Sequence, residues 1–168
     1  MKKLVSIILI LAAAIVGVSK SQYFVHLLNR TTVVQANSPA LGTLLEGIVY
    51  KDLVILESNG SSKAYYGLFC LSAKMENHDY FKQLFSNSIP RVECGTNSLI
   101  FYSDGLIDKE TKKPGVIFKA QVLMISNNIA AVNGSWYSGP MASQAIRYNL
   151  RLVGTNWVIA SKVIISTS

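Results

Sequence analysis

The sequence predicts an α+β protein in which an N-terminal export segment is followed by helix, strand, helix and then an antiparallel sheet of about five strands. Two observations predict this order. Apolar residues recur at helical spacing over residues 39–56, whereas alternating strand-like runs separated by turn residues begin at residue 97. The chain accordingly divides into a signal peptide or membrane anchor (1–21), a linker (22–37) and a single domain (38–168).

The first 21 residues have the three parts of a secretory signal. Lys2 and Lys3 precede an uncharged apolar stretch at 4–18, and small polar residues follow. A helix that spans a membrane needs about 20 apolar residues, and this stretch is shorter. The positive-inside rule places the two lysines in the cytoplasm. Because the boundary near Ser19 is a poor cleavage site, two alternatives stay open: a released periplasmic domain, or a domain anchored in the inner membrane through residues 4–18.

The positive charge of the chain is spread thinly. The formal net charge is +7, from 16 basic and 9 acidic residues. Nucleic-acid binding requires a continuous basic stripe with aromatic or arginine platforms, and the basic residues of this sequence are scattered. Nucleic acid is therefore not a predicted partner, and weak attraction to anionic lipid or cell-wall polymer is the more natural use of such a charge.

The helix–strand–helix part is predicted from spacing and from capping residues. Ser38 and Pro39 form a helix start, and leucines at helical spacing predict a helix over Pro39–Leu56. The aromatic and apolar run Ala64–Ala73 predicts a buried strand. Asn77-His78-Asp79 then offers capping groups for a short helix that turns Phe81, Leu84 and Phe85 towards the core.

The second half predicts strands joined by short turns. The predicted strands are Ser98–Ser103, Val116–Ser126, Ile129–Ser138, Ala142–Val153 and Trp157–Ser166. The fourth alternates most clearly, with Ile146, Tyr148, Leu150 and Leu152 on one face and Arg147, Asn149 and Arg151 on the other. Such alternation is typical of an antiparallel strand with one buried and one solvated face.

Cys70 and Cys94 are the two cysteines, and two alternatives remain for them. An even number in an exported chain permits a disulfide, which would stabilise the fold by roughly 3 kcal/mol in the chain-entropy model. The apolar neighbours of Cys70 instead favour two separate buried thiols.

One segment, residues 108–159, resembles a known group of proteins. It contains DKETKKPG from Asp108, GSWYSG from Gly134, then Ala142-Ser143, Tyr148 and Trp157-Val158-Ile159. This succession is similar to the DKxTGKPG, GxYYxGxxASxxxY and NGKWVV pattern of small, often exported bacterial proteins of uncharacterised function. The closing meander also resembles the nuclear-transport-factor-2-like fold, which implies a curved, cone-like sheet and no particular activity.

The residues offer no catalytic or metal-binding group that outweighs a structural role. His78 beside Asp79 is interpreted as a helix-start cap rather than as an oriented base. Asp104, Asp108 and Glu110 lack the ligand density of a calcium loop and are interpreted as a solvated turn. We therefore expect no metal site, no cofactor and no enzymatic activity.

Four residues mark the predicted ligand or partner surface: Trp136, Tyr137, Ser143 and Tyr148. Aromatic residues beside a small polar loop suit a pocket between sheet and helix, although packing is the commoner use of such aromatics. The leading hypothesis is an exported envelope domain that binds an unknown envelope protein. The alternatives are a carrier of a small apolar ligand and, less favoured, a cone-fold hydrolase or isomerase.

Overall fold

A computed structural model describes residues 40–58, 65–88 and 90–168. The predicted export segment (1–21) and linker (22–37) lie outside these residues. Within the described ranges, no helix is long and apolar enough to cross a membrane. Helices pack against one face of a mixed six-stranded sheet, and a two-stranded sheet lies separately. This arrangement confirms the predicted α+β class.

Helix α1 spans Leu41–Ser58, two residues later at each end than the predicted Pro39–Leu56. Val49 and Val54 are β-branched and have weak helix propensity, yet both are buried in the helix. Packing against the sheet therefore outweighs their local preference. The buried apolar residues of α1 follow helical spacing: Leu45, Val49, Tyr50, Leu53 and Val54.

Two strands and a second helix follow α1. Strand β1 spans Leu68–Leu71, a 3-10 turn spans Met75–Asn77, α2 spans His78–Leu84 and β2 spans Arg91–Cys94. Strand β1 is thus shorter than the predicted Ala64–Ala73. The sequence does not predict β2, because two of its four residues are charged and the segment shows no apolar period.

The rest of the chain is almost entirely strand. Strands β3 (Leu99–Phe101) and β4 (Leu106–Asp108) pair as a small antiparallel hairpin. The sequence predicts β3 but not β4, which lies between two turn signals. Four long strands follow, each with bounds within one residue of the prediction: β5 (Gly115–Ser126), β6 (Ile129–Gly139), β7 (Ala142–Val153) and β8 (Asn156–Thr167).

The large sheet has the strand order β2-β1-β5-β6-β7-β8 and is open. Strand β1 is parallel to both β2 and β5, whereas β5 to β8 form an antiparallel meander. The predicted meander is therefore present with four strands, and two parallel strands extend it on one side. Parallel pairing requires a crossover connection, and α2 lies in the connection between β1 and β2.

The inner face of the sheet, which carries Phe118, Val132 and Tyr148, packs against the helices and forms the main core. Aromatic rings meet edge to face there, with centroids 5.1 Å apart for Phe69 and Phe118. Tyr50 of α1 meets Phe81 of α2 at 5.2 Å, so the two helices and the sheet share one core. Phe81 and Phe85 are buried as predicted, and Leu84 is partly buried.

The opposite face, here called the outer face, carries Lys119, Asn133 and Arg147 on the long strands. It is covered at its β1–β5 end, where Leu68 and Cys70 pack with Leu99 and Leu106 of the β3–β4 hairpin in a second, smaller core. The turn of this hairpin also meets the end of β6, because a Cβ atom at Gly139 would lie 2.7 Å from the Asp104 carbonyl oxygen. The hairpin therefore protects one end of the outer face and leaves the meander part exposed.

The two cysteines lie on neighbouring strands but on opposite faces. Cys70 pairs in register with Glu93, and Cys94 pairs with Leu71. Cys70 belongs to the outer-face core, whereas Cys94 packs against the inner core. Both are free thiols, so the Cys70–Cys94 disulfide is not formed, and the alternative of two separate thiols describes the structure.

We expect the two thiols to react at very different rates with an aromatic disulfide reagent at pH 8. Burial raises the pKa of Cys70 to about 12, and the thiolate is the reactive form, so Cys70 should react only after unfolding. Cys94 is partly exposed and should react slowly in the folded protein. A Cys94→Ser variant should show no reaction until denaturant is added. Equal rates, or no free thiol, would contradict this arrangement.

Candidate functional site

The four residues predicted as a ligand or partner surface lie on two different faces. Trp136 and Tyr148 face the inner core. Tyr137 and Ser143 are opposed in register on β6 and β7, and Tyr137 is 38% exposed. Successive strand residues point to opposite faces, so Trp136 and Tyr137 cannot line the same pocket. The structure therefore brings Tyr137 and Ser143 together and separates them from the other two.

Tyr148 is a fully buried link between the sheet and α1. Its hydroxyl donates a hydrogen bond to Asp52 Oδ2 at 3.0 Å, and Lys162 Nζ binds both oxygens of that carboxylate at 3.0 and 3.1 Å. Burial, followed by the negative charge of Asp52, raises the pKa of Tyr148 above its ordinary value. The three side chains tie α1 to β7 and β8, and the interior at this point is filled.

The clearest apolar groove lies elsewhere, between α1, α2 and the β7–β8 turn. Its volume is about 250 Å³ and it opens to solvent. Its main apolar lining residues are Leu44, Ile48, Tyr80, Leu84 and Trp157. Pockets that enclose a small ligand usually measure about 300–1,000 Å³, so this groove suits one inserted side chain better than an apolar cargo molecule.

A second groove, of about 530 Å³, lies between the start of α1 and β5 and is more polar. Burial raises the pKa of Glu46 in its wall, although the charge of Lys74 opposes this effect. Lys74 also approaches Glu76 at 4.0 Å. Because its charges are of both signs and these two side chains are largely exposed, the groove has no evident preference for a ligand.

The acidic residues and the histidine that the sequence offered differ in their surroundings. The predicted solvated turn is wrong for Asp108, which is fully buried and accepts hydrogen bonds within its own turn, whereas Asp104 and Glu110 are exposed. His78 Nε2 lies 3.2 Å from the Ala73 carbonyl oxygen, and Asp79 approaches Lys82 at 3.9 Å instead. Across residues 40–58, 65–88 and 90–168, no group of three or more histidine, cysteine or acidic side chains could hold a metal ion.

The outer face of β5 to β8 is a candidate interaction surface. Its side chains form rows across the four strands, because the antiparallel register places them side by side. From the β3–β4 end the rows are Lys119, Ser135 and Ala145; then Gln121, Asn133, Arg147 and Val163; then Met124, Ala131, Asn149 and Ser161; and last Ser126, Ile129, Arg151 and Val158. The middle rows are rich in amides and hydroxyls.

The charge on this face has one sign. All nine acidic residues of the chain lie between Glu46 and Glu110, so β5 to β8 contain none. Lys119, Arg147 and Arg151 therefore face solvent with no acidic neighbour on the meander. Arg147 Nε donates to Asn133 Oδ1 at 2.6 Å, which holds its guanidinium against the sheet. The face is a sparse positive surface on rigid strands.

The far end of the same face is apolar. Met124, Ile129, Val153 and Val158 lie at the hairpin ends around Arg151, and each is between 41% and 49% exposed. Exposed aliphatic side chains grouped beside an arginine are more typical of a protein-binding surface than of a solvated sheet face.

The sequence analysis predicted the solvated side of β7 but did not predict that this side belongs to an acid-free sheet face. The alternation in β7 correctly placed Arg147, Asn149 and Arg151 on a solvated side. The missing signal was the absence of acidic residues after Glu110, which is visible in the sequence once the four strands are known to share one sheet.

Comparisons with protein-family models, curated proteins and solved structures found no match. Functional inference for this chain therefore rests on its own geometry and charge. The resemblance of residues 108–159 to small exported bacterial proteins, and of the meander to the nuclear-transport-factor-2-like fold, stays a prediction.

Proposed function

We propose that this chain is an exported, non-enzymatic envelope domain that binds an acidic surface of a partner protein with the outer face of β5 to β8. The observation that carries the proposal is the acid-free outer face of the four long strands, which carries Lys119 on β5 and Arg147 and Arg151 on β7. A sheet face that contacts only water normally carries charges of both signs, since a mixture of signs avoids repulsion between its own side chains.

The size of the face suits a protein partner. Four strands at about 4.8 Å spacing and about nine residues at about 3.4 Å rise give a surface of roughly 20 Å by 30 Å, or about 600 Å². A standard protein interface buries about 800 Å² on each partner. The outer face, together with the hairpin ends, therefore comes close to the area that a specific complex needs.

The chemistry of the face favours a protein over a polyanion. Arginine, amides and an aliphatic rim are typical interface groups, and three positive charges over about 600 Å² are too few for a nucleic-acid groove. A carboxylate-rich protein surface would pair with Arg147 and Arg151 and would receive hydrogen bonds from Asn149 and Gln121. Electrostatic attraction of this kind accelerates association and selects the partner.

The filled interior supports partner binding over the alternative of an apolar carrier. Tyr148 is fully buried and Gly134 packs against its ring, so the space between α1 and the meander holds no room for a ligand at that point. The export segment (1–21) supports action in the periplasm or at the inner membrane. Membership in the group of small exported bacterial proteins is part of the same proposal.

Site-specific photo-crosslinking in the envelope tests this function. A photoreactive residue at Asn149, the centre of the outer face, should give one discrete adduct with another protein. The Arg147→Glu, Arg151→Glu double variant should lower the adduct yield at least about tenfold, because it places like charges opposite an acidic partner. With the purified partner, the affinity should fall as salt rises, since exposed charges are screened.

The matched control uses Lys82 on α2, which is exposed on the other side of the domain. A photoreactive residue there should give no discrete adduct, and Lys82→Glu should leave the Asn149 adduct unchanged. Equal adducts from both positions would overturn the proposal, as would an adduct that survives charge reversal in a variant whose circular dichroism spectrum is native.

A further inference from the structure

The two edges of the large sheet differ sharply. Strand β2 forms one edge with four residues, two of them charged, and α2 packs beside it. Strand β8 forms the other edge with twelve residues, Asn156–Thr167, and contains no proline. Short length and charge are ordinary protections against edge-to-edge pairing. Strand β2 has both, whereas β8 is three times as long and carries one charged residue, Lys162, and two bulges.

Lys162, the one charged residue of β8, is already paired. Its Nζ binds the Asp52 carboxylate of α1, so the edge presents a neutralised ion pair rather than a free charge. The register with β7 gives β8 two extra residues, Ala160 and Ile165. Between these two bulges, Ser161–Ile164 pair with β7 in an uninterrupted register.

Exposed aliphatic side chains flank this stretch on both faces. Val163, on the outer face, is 54% exposed, and Ile164, on the inner face, is 61% exposed. Helix α1 continues past Asp52 to Ile55 and Leu56, which are 57% and 42% exposed. The Lys162 and Ile164 side chains share the inner face, and Lys162 binds Asp52 of α1, so α1 reaches β8 on the side of the sheet that carries Ile164.

We propose that β8 pairs antiparallel with β8 of a second copy of this chain, with Val163 opposite its own counterpart. Opposed residues of an antiparallel pair share a face, so this register sets Lys162 opposite Ile164 of the second copy and keeps the two lysines apart. A two-fold axis normal to the sheet then joins two six-stranded sheets and places both α1 helices on one side.

The second copy is the occupant that the edge fits best. A two-fold interface uses the same patch on both partners, and this patch is self-complementary: an edge strand that no other strand of residues 40–58, 65–88 and 90–168 pairs, with the aliphatic Val163 and Ile164 on its two faces. An acidic partner would find no unpaired positive charge on β8, because Lys162 already forms an ion pair with Asp52. The proposal is independent of the proposed function, although the dimer would place two outer faces side by side and so make binding bivalent.

Sedimentation equilibrium of the full-length chain in a density-matched non-ionic detergent tests the dimer. The wild-type chain should associate to a dimer. Val163→Lys and Val163→Glu should each weaken dimerisation roughly tenfold or more, because each puts like charges directly opposite across the two-fold axis. An equimolar mixture of the two variants should recover dimerisation, since Lys and Glu then face each other.

Met124→Lys provides the matched control, because Met124 is similarly exposed on the outer face of β5, away from the edge. It should dimerise as the wild type does. A wild-type chain that stays monomeric at every soluble concentration would overturn the proposal. Val163 variants that dimerise normally, or a mixture that fails to recover, would overturn it as well. If a photoreactive residue at position 149 gave no adduct while the chain still dimerised, only the proposed function would be contradicted.

Discussion

Replacing Asp108 with alanine should destabilise the domain by about 3 kcal/mol, the largest effect that we expect from one side chain. Asp108 ends β4 and is fully buried. Its carboxylate accepts hydrogen bonds from Thr111 N–H at 3.1 Å, from Thr111 Oγ1 at 2.5 Å and from Glu110 N–H at 3.3 Å. Alanine would remove the buried acceptor that these part-buried hydrogen bonds share and would leave space where the carboxylate lies, and both effects destabilise the folded state.

The same carboxylate also holds the sheet edge. Arg91 Nη2 of β2 donates to Asp108 Oδ1 at 3.0 Å, so Asp108 connects the β4–β5 turn with a strand that lies earlier in the chain. Arg91 is 34% exposed and also pairs with Glu93 and Glu110. We therefore discount the loss of its ion pair and assign most of the cost to the hydrogen bonds that the buried Asp108 carboxylate accepts within its turn.

Urea unfolding followed by circular dichroism measures the effect, with Asp104→Ala as the matched control. Asp104 belongs to the same hairpin but is exposed, so its removal should change the free energy of unfolding by less than about 0.5 kcal/mol. Asp108→Asn should fall between the two, because an amide keeps one acceptor oxygen. Equal stabilities of the Asp108→Ala and Asp104→Ala variants would show that the turn does not depend on this carboxylate.

The sequence predicts this turn but not the contact between Asp108 and Arg91. The polar run from Asp108 to Gly115 correctly predicts a turn before a strand, and the resemblance of DKETKKPG draws attention to the same residues. Asp108 is also bound by Arg91, which is 17 residues away and lies in the unpredicted strand β2. Local pattern therefore identifies the turn, whereas the contact between Asp108 and β2 depends on how the strands assemble.

The long strands were predictable because their signals are local. Alternation in β7 and turn residues between the strands specify both register and face. The contact between Tyr148 and Asp52 joins residues 96 positions apart, and no local pattern contains it. The predicted site failed to assemble as one surface for a simpler reason: Trp136 and Tyr137 are neighbours on a strand, so they lie on opposite faces. That rule was available from the sequence.

The parallel strands were harder to predict. Strands β1 and β2 are four residues each, too short to display a period, and their pairing depends on the crossover through α2. The exposed outer face follows from this assembly, because the β3–β4 hairpin, which lies between β2 and β5 in the chain, covers the β1–β5 end and the adjoining end of β6. The charge asymmetry was present in the sequence, but only the sheet order places Lys119, Arg147 and Arg151 on one surface.

Gly134→Ala should destabilise the domain by about 2 kcal/mol, because α1 crosses the sheet in direct contact with this glycine of β6. A Cβ atom at residue 134 would lie 2.7 Å from Tyr148 Cε2, 2.8 Å from Val49 Cγ1 and 3.3 Å from Leu53 Cδ1. Tyr148 and Val49 are fully buried, and the Tyr148 hydroxyl is bound to Asp52, so neither side chain can move aside without disturbing the contact between helix and sheet.

Gly42→Ala is the matched control, since it makes the same chemical change where there is room. Nothing lies within 4 Å of a Cβ atom at residue 42, which is in the first turn of α1. Alanine favours a helix over glycine by up to about 1 kcal/mol, so Gly42→Ala should be neutral or stabilising in thermal unfolding. Two alanine variants of opposite sign would confirm that close approach of α1 requires glycine in β6. A Gly134→Ala variant with unchanged stability would contradict this close contact between α1 and β6.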